Sequence, residues 1–237
     1  MRGISDQELE QFRSLGYAVM PGALNAHVLA QLRSICDGLL CEPPDDDHGG
    51  QSHDIGRGQD RRFLRHRHRD QPALSALILG AEFGELARRC LEASPWLFNE
   101  QFVVKGPHTG ASFAWHQDSG YLDQPHAPYL SVWVALDDTN AENGALSVIP
   151  RDVRTEPGIE PHRWDEYGKE RVGYEGPDTG VRLDAAAGTV VVFSSLTLHR
   201  SSANVTPKPR RAYLVQYSPE PIYKLGTNEP KVFAKRL

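Results

Sequence analysis

The sequence predicts a mainly β protein with flanking helices, built as an antiparallel β-barrel or jelly roll. Helical patterns occupy residues 1–97, whereas short β-prone segments separated by turn residues follow from about residue 98. Helices first and many short strands afterwards are typical of a closed antiparallel fold with helices packed outside it. We expect one domain over residues 1–237, because the N-terminal helices carry too little apolar surface for a core of their own. In it, residues 1–97 supply helical support and a lid loop, and residues 98–218 form the jelly-roll core.

The N-terminal segment carries two helix start signals and one strand signal. Ser5 and Glu8 have the spacing of a capping box, ahead of apolar residues at helical spacing that stop at Gly16. Residues 17–20 have the composition of a short strand. Asn25 is then a candidate N-cap for a second helix with a clear apolar face.

Residues 43–72 interrupt this order with a polar, glycine-rich stretch of mixed charge. So long an irregular segment is either disordered or functional, for example an active-site lid. Its part 57–70 contains six arginines and two aspartates, which fits either a patch that attracts an anionic substrate or a solvated, salt-bridged loop. We favour the second interpretation. His66 and His68 lack a third ligand at a usual spacing, which disfavours a second metal site.

The helical pattern resumes over residues 74–91, with Gly80 and Gly84 as weak points. The β-prone segments follow it, at residues 102–104, 112–116, 130–136, 146–149, 189–193 and 212–217. The polar stretch 151–180 is expected to cross the barrel mouth as a second lid. Phe113, Tyr121 and Trp164 are candidates for the lining of a substrate pocket, although aromatic residues are more often part of a core.

Composition narrows the classes of function. The formal net charge of −5 argues against a general binder of nucleic acid or anionic membranes, because both need a basic face. The three cysteines form no CxxC pair, which fits a reducing compartment. No leader-like segment or membrane-length apolar run is present. We therefore expect a cytoplasmic protein with a small-molecule substrate; its oligomeric state stays open.

The sharpest chemical signal is the tripeptide of His116, Gln117 and Asp118. Positions i and i+2 of a strand point to one face, so the imidazole and the carboxylate can converge. They are two of the three ligands in the facial triad that holds non-haem Fe(II) with open positions. His199, which follows the most β-prone segment, is the candidate for the third. Alone, a His-x-Asp tripeptide is common, and a buried histidine at a polar strand end is the competing interpretation.

Three longer segments extend the pattern: HQDSGY from residue 116, WVALDDTNAENGALSVIP from residue 133 and AGTVVVFSSLTLHRSSANVTPKPRRA from residue 187. Over about residues 98–218 the chain resembles the phytanoyl-CoA dioxygenase family of Fe(II)- and 2-oxoglutarate-dependent oxygenases. The resemblance implies a double-stranded β-helix, that is, a cupin-like jelly roll. It also implies an enzyme that uses Fe(II), 2-oxoglutarate and O2, releases succinate and CO2, and most often hydroxylates a C–H bond.

The resemblance assigns the ligands residue by residue. His116, Asp118 and His199 match the metal ligands of the family. Arg210 matches the arginine that binds the distal carboxylate of 2-oxoglutarate, a task suited to a planar, permanently charged guanidinium. Arg211 is the alternative for this role. Neighbouring residues of a strand face opposite sides, so only one of the two arginines can point at the co-substrate.

Further positions are implied to bind the co-substrate, namely Ser201, Trp133, Gln117 and Lys105. An exposed strand-edge lysine is the competing interpretation for Lys105, and a turn residue is the one for Asn204, which also matches the family. Family members that halogenate carry a small residue in place of the carboxylate ligand, so the presence of Asp118 disfavours halogenation.

Two other functions remain open from the sequence. A zinc-dependent hydrolase can use the same His/Asp/His set to activate water. A non-catalytic metal- or ligand-binding module can retain the fold. The sequence does not identify the substrate, for which we expect a small organic metabolite of secondary metabolism. Nor does it distinguish hydroxylation from desaturation, epimerisation or cyclisation.

Overall fold

Helices α1 (Asp6–Leu15) and α2 (Ala26–Leu40) begin at the capping residues that the sequence predicts. In the computed structural model, which describes residues 1–43, 52–54, 61–152, 154–155, 158–230 and 235–237, the Glu8 amide donates to the Ser5 hydroxyl. The Glu8 carboxylate accepts from the Ser5 amide in return, which completes the capping box. The helix ends at Gly16 with φ of 78°, a left-handed value that favours glycine.

The helical pattern of residues 74–91 forms two helices, α3 (Pro72–Ile78) and α4 (Ala81–Leu91). The weak point predicted at Gly80 is the boundary between them, where an added Cβ would lie 2.6 Å from the Ala76 carbonyl oxygen. Gly84, the other predicted weak point, stays inside α4.

The described residues contain fourteen strands: β1 (Tyr17–Met20), β2 (Ser52–Asp54), β3 (Arg61–Arg65), β4 (Trp96–Lys105), β5 (Phe113–His116), β6 (Leu130–Ala135), β7 (Leu146–Val148), β8 (Arg163–Asp165), β9 (Glu170–Val172), β10 (Val181–Leu183), β11 (Val190–Ser194), β12 (His199–Ser201), β13 (Arg210–Ser218) and β14 (Lys235–Arg236). A major sheet has the order β1-β11-β6-β13-β4-β3-β2, with β14 also beside β4. A minor sheet has the order β10-β7-β12-β5. Every pair is antiparallel. This arrangement confirms the predicted jelly roll with flanking helices.

The major sheet is buried on both faces, which explains its nearly continuous apolar strands. In β6, Val132 and Val134 belong to a core cluster that also contains side chains from all four helices. Trp133 and Ala135 belong to a second cluster, which includes β7 and β10 of the minor sheet. The inward side chains therefore face the space between the two sheets, where the candidate site lies.

Residues 61–65 form a strand rather than the lid loop that the polar composition predicts. β3 pairs with β4 through the whole of its length, and a short 3-10 turn over residues 67–69 follows. The prediction is wrong there because Arg61 and Arg65, the first and last residues of β3, both point inward. Two arginines at inward positions hide the alternation of apolar and polar residues that marks a strand. Residues 44–51 and 55–60 of the predicted lid lie outside the described residues. Between these two ranges, only the backbone of β2 is described.

The polar stretch 151–180 contributes the hairpin of β8 and β9, whose second strand packs against β5. Lys169 and Glu170 at this hairpin line the cavity between the sheets, whereas Trp164 is 49% exposed outside it. Trp164 is therefore not a pocket residue, contrary to the prediction. Among the described helices, none is both long enough and apolar enough to cross a membrane.

Candidate metal centre and co-substrate pocket

Three side chains from two strands and a turn meet at one point. His116 ends β5 and His199 begins β12, and the two residues are direct partners in the antiparallel register. The sequence predicts that Asp118 continues this strand. Instead, Asp118 begins a short 3-10 turn. His199 Nε2 still lies 3.8 Å from Asp118 Oδ1, and the two imidazole centroids are 4.2 Å apart. One ligand atom from each residue lies within 4.8 Å of the other two, which suits a single metal ion.

Both histidines present Nε2 to this point. The Nδ1 of His116 is 2.7 Å from the Ala114 carbonyl, and that of His199 is 3.0 Å from the Thr197 carbonyl. Each Nδ1–H donates to that carbonyl, so Nε2 carries the free lone pair. Burial, reinforced by the nearby His199, lowers the pKa of His116 well below its usual value. His116 is therefore neutral, the form that binds metals.

The carboxylate of Asp118 is fixed by a hydrogen-bond chain that sequence reasoning missed. Its Oδ2 accepts from the Ser131 hydroxyl at 2.5 Å and from Gln216 Nε2 at 2.9 Å. Gln216 is itself held by Asn99, whose Nδ2 donates to Gln216 Oε1 at 2.9 Å. Oδ1 therefore remains the oxygen that faces His199. The alternation of side chains along a strand was the available signal. Gln216 follows Arg210 by an even number of residues, so both side chains lie on the inward face of β13.

We expect Gln216→Leu and Ser131→Ala each to weaken metal binding by roughly ten- to a hundredfold, because each removes a group that orients the ligand carboxylate. The affinity for Fe(II) or Zn²⁺, measured by competition with a chelator, checks this expectation. Ser75→Ala is the control, since its hydroxyl donates to the His68 carbonyl outside the cavity lining. An unchanged affinity in both site variants would contradict the orienting role.

Arg210 points into the cavity and Arg211 points away from it. The Arg210 side chain is buried, and its Nε has no hydrogen-bond partner. Burial lowers its pKa to about 10, so it stays charged at neutral pH. Arg211 instead binds Asp137 through Nε at 3.0 Å and Nη2 at 2.6 Å, and Asp37 through Nη1 at 2.6 Å. Of the two neighbours, Arg210 is the buried cation that still needs an anion.

Arg210 lies at one end of a row of three buried cations on adjacent strands. Lys105 is its register partner on β4, and Arg61 is the partner of Lys105 on β3. Arg61 reaches Glu170 at 3.3 Å, whereas the Lys105 ammonium donates to the Ser201 and Ser202 carbonyls. Burial, followed by the charges of Arg210 and Arg61, lowers the pKa of Lys105 well below its usual value. The alternative of an exposed strand-edge lysine is wrong, and this end of the cavity carries excess positive charge.

Gly144 leaves room for the side chains of Lys105 and Arg210. It has φ of 97° in the Glu142–Gly144 turn, and an added Cβ would lie 2.9 Å from Lys105 Cδ and 3.1 Å from Arg210 Nη2. The Asn-Gly turn at residues 143–144 therefore packs closely against two of the three cations. Glycine is required here for both the backbone angle and the close approach.

We expect Gly144→Ala to lower the free energy of unfolding by about 1–3 kcal/mol and to weaken 2-oxoglutarate binding. Gly22→Ala is the matched control, because Gly22 also has a positive φ, of 59°, but no atom within 4 Å of an added Cβ. Thermal unfolding and co-substrate titration of both variants check this. Equal effects of the two variants on binding would contradict the packing of Gly144 against Arg210.

Of the other residues that the sequence predicts for the site, some line the cavity and others stabilise the structure around it. Ser201 and Trp133 line the cavity. Gln117 does not, because its amide donates to the Gly158 and Leu196 carbonyls and accepts from the Glu160 amide. Asn204 is buried, and its side-chain amide donates to the carbonyls of Lys105, Gly106 and Lys208, which is the turn role that the sequence leaves open.

The cavity has a volume of about 400 Å³ and is walled largely by aromatic side chains, Phe113 and Tyr121 among them as predicted. The residues present fit two absent groups. Two imidazole nitrogens and one carboxylate, with nothing else from the described residues at the same point, are the donor set of an Fe(II) site with open positions. The buried, unpartnered guanidinium of Arg210 fits a carboxylate of a bound organic acid.

The chain is similar to a known enzyme family and to several known proteins. The family model described as phytanoyl-CoA dioxygenase matches residues 12–212. The L-proline trans-4-hydroxylase of Streptomyces griseoviridis is 31% identical over 56% of this chain and 58% of its own length. The chain thus spans little more than half of that relative. The ectoine dioxygenase of Sphingopyxis alaskensis is 27% identical over 90% of this chain and 75% of its own length.

A solved structure extends the similarity to the whole fold. The crystal structure of EvdO2 from Micromonospora carbonacea var. aurantiaca complexed with 2-oxoglutarate has a TM-score of 0.75 and 26% identity. The match covers 99% of this chain and 98% of that chain. The jelly roll described above is therefore shared with a protein that binds 2-oxoglutarate.

Proposed function

The chain belongs to the phytanoyl-CoA dioxygenase family, and from this premise we propose that it is an Fe(II)- and 2-oxoglutarate-dependent dioxygenase. Its reaction is the oxidation of a C–H bond in a small organic metabolite, with hydroxylation as the default outcome. One observation carries the proposal: a buried arginine that pairs with no acidic side chain of the described residues lies in the same cavity as a His/Asp/His triad.

The metal-binding part of the reaction falls to the triad. His116, Asp118 and His199 would hold Fe(II), with the protonated Nδ1 atoms and the Asp118 Oδ2 bonded to the protein frame. When bound, Fe(II) couples the oxidative decarboxylation of 2-oxoglutarate by O2 to the oxidation of the substrate. Because the ligands are oriented before the metal arrives, metal binding requires little reorganisation of the protein.

Co-substrate binding falls to the cationic end of the cavity. Arg210 would bind the distal carboxylate of 2-oxoglutarate with its unpaired guanidinium. Lys105, its register partner on β4, lies beside it, and Ser201 shares the inward face with His199. Trp133 would bound the same space from β6.

Water exclusion falls to the apolar wall. Phe63, Phe98, Tyr129 and Phe193 line the cavity together with the two predicted aromatic residues. Such a lining strengthens the charge interactions inside the site and limits side reactions of a reactive metal centre.

The zinc-hydrolase alternative explains the triad but not the rest of the cavity. Hydrolysis by a metal-bound water requires no buried cation for an organic acid. Arg210 would then be a buried charge that destabilises the fold without a function. The non-catalytic alternative has the same weakness, because all three ligands and the arginine are retained.

The class of substrate is proposed from the cavity and from relatives. A cavity of about 400 Å³ suits a small molecule. Two relatives are named for the oxidation of small organic compounds, L-proline and ectoine. A role in secondary metabolism and a cytoplasmic location stay predictions from the sequence.

Succinate release tests the proposed activity before any substrate is known. Protein loaded with Fe(II) and supplied with 2-oxoglutarate in air is expected to form succinate slowly, and the true substrate to accelerate this. Zinc-loaded protein and anaerobic samples are the controls and should form none. A well-folded, iron-loaded protein that binds candidate metabolites but never forms succinate would contradict the proposal.

A further inference from the structure

A half-buried arginine in the cavity wall, Arg65, has no acidic partner among the residues that the structure describes. It ends β3 on the inward face, and its Nε donates to Gln101 Oε1 at 3.1 Å. The guanidinium carbon lies 5.3 Å from the centroid of the Phe63 ring, which fixes its plane from one side. Within the described part of the chain, no carboxylate pairs with Arg65 and no acceptor takes its two Nη groups.

The acidic side chains of the cavity are already engaged. Among the described lining residues, these are Asp118 and Glu170. Asp118 is held by Ser131 and Gln216 and faces the metal point. Glu170 receives a hydrogen bond from Arg61 at 3.3 Å. Neither carboxylate neutralises Arg65.

The other cations at the outer part of the cavity are also accounted for. Lys169 pairs with Glu166 at 2.8 Å on the surface of its hairpin. Arg200 alternates with the inward residues of β12, and its guanidinium carbon lies 4.7 Å from the centroid of the Trp115 ring. Arg200 also donates from Nη2 to the Thr179 carbonyl at 3.4 Å, whereas no described residue takes either Nη group of Arg65.

The position of Arg65 separates it from the proposed co-substrate end. Its partner Gln101 is two residues from Asn99 on the same face of β4, about 7 Å along the strand. Asn99 belongs to the hydrogen-bond chain that ends on the metal-binding carboxylate. Arg61, in the row of Arg210, is four residues from Arg65, about 13 Å along β3. An anion on Arg65 would thus lie beside the metal centre without displacing one on Arg210.

We propose that Arg65 binds an anionic oxygen group of the substrate, a carboxylate or a phosphate, while the apolar part of the substrate contacts the aromatic wall. The Nη fork of a guanidinium matches two oxygens of either group. Phe63, Phe98 and Tyr121 supply apolar surface in the same cavity. This inference rests on the proposed function, because it gives the substrate class of the same site.

Three probes with a common phenyl ring test the inference: benzoate, phenyl phosphate and the neutral benzamide. Each is titrated calorimetrically, without oxygen and at low ionic strength, into protein holding Fe(II) and saturating 2-oxoglutarate, so that Arg210 is occupied. At least one anionic probe should bind roughly ten to a hundred times more tightly than benzamide. Which anion binds more tightly distinguishes a carboxylate substrate from a phosphate substrate.

Arg65→Gln should abolish the preference for anions and leave the affinity for benzamide unchanged. Arg69→Gln is the matched control: it removes an exposed arginine of the following turn and should keep the preference. Equal affinities of all three probes in the unmodified protein, or no binding at all, would overturn the inference. So would a preference that survives Arg65→Gln.

Failure of the proposed function is recognised separately. If no Fe(II)–2-oxoglutarate complex forms, the titrations are repeated with metal-free Arg210→Gln protein, in which the guanidinium of Arg210 can no longer compete for the anionic probe. The preference for an anionic probe must then still appear, and must vanish in the Arg65→Gln/Arg210→Gln double variant. Its absence there overturns the role of Arg65 whatever the metal does.

Discussion

Replacing Arg210 with glutamine is expected to raise the dissociation constant for 2-oxoglutarate by roughly a hundred- to a thousandfold, because the distal carboxylate loses its guanidinium partner in a buried site. The metal affinity should change little, since Arg210 touches none of the three ligands. Titration of metal-loaded protein with 2-oxoglutarate measures the effect. A dissociation constant within about threefold of the original would assign the co-substrate to another residue.

Replacing Arg210 with an apolar residue is expected not to lower the stability of the fold. In the protein without co-substrate, Arg210 is a buried charge whose Nε lacks a partner, so Arg210→Met should leave the melting temperature unchanged or raise it. Arg211→Gln is the matched control. It breaks ion pairs with Asp137 and Asp37 and should lower the melting temperature while keeping 2-oxoglutarate binding. The reverse pattern would mean that Arg211 is the anchor.

Removing one metal ligand is expected to abolish turnover. In His199→Ala, a ligand nitrogen disappears while the strand pairing of β12 with β5 and β7 remains. We expect metal-dependent succinate formation to fall below detection, with circular dichroism unchanged. Asp118→Ala should behave in the same way, because a neutral pair of imidazoles binds Fe(II) weakly without the carboxylate.

His126→Ala serves as the control for these ligand variants. His126 is bonded to the Ser119 hydroxyl and is not one of the three ligands, so its removal should leave metal binding intact. Full turnover by His199→Ala, or equal loss in His126→Ala, would contradict the assignment of the centre.

The elements that the sequence predicts well are those with local signals. The capping box at Ser5 and the glycine at position 16 define α1, because both act through the backbone of their own turn. The strands with Val-rich runs are also predicted, since burial on both faces leaves few polar residues to interrupt them. The triad is predicted because its residues match a family pattern, although Asp118 lies on a turn and not on the strand.

The residues that the sequence does not predict depend on contacts between distant strands. β3 reads as a loop, because Arg61 and Arg65 are suitable for a buried face only when Glu170 and Gln101 lie opposite them. Likewise, Gln216 acquires its role from Asp118, which is 98 residues away in the chain. Such pairings follow from the register of the sheet, and a single sequence gives the register no local signal.

The proposal that this cavity holds Fe(II) and 2-oxoglutarate together is tested most directly by anaerobic visible absorption. Fe(II) and then 2-oxoglutarate are added to metal-free protein, with His199→Ala and Arg210→Gln measured in parallel. We expect a metal-to-ligand charge-transfer band in the unmodified protein, no band in His199→Ala, and in Arg210→Gln a band that needs far more 2-oxoglutarate. A folded, iron-loaded protein without this band would contradict the account and favour hydrolytic zinc chemistry or a binding role.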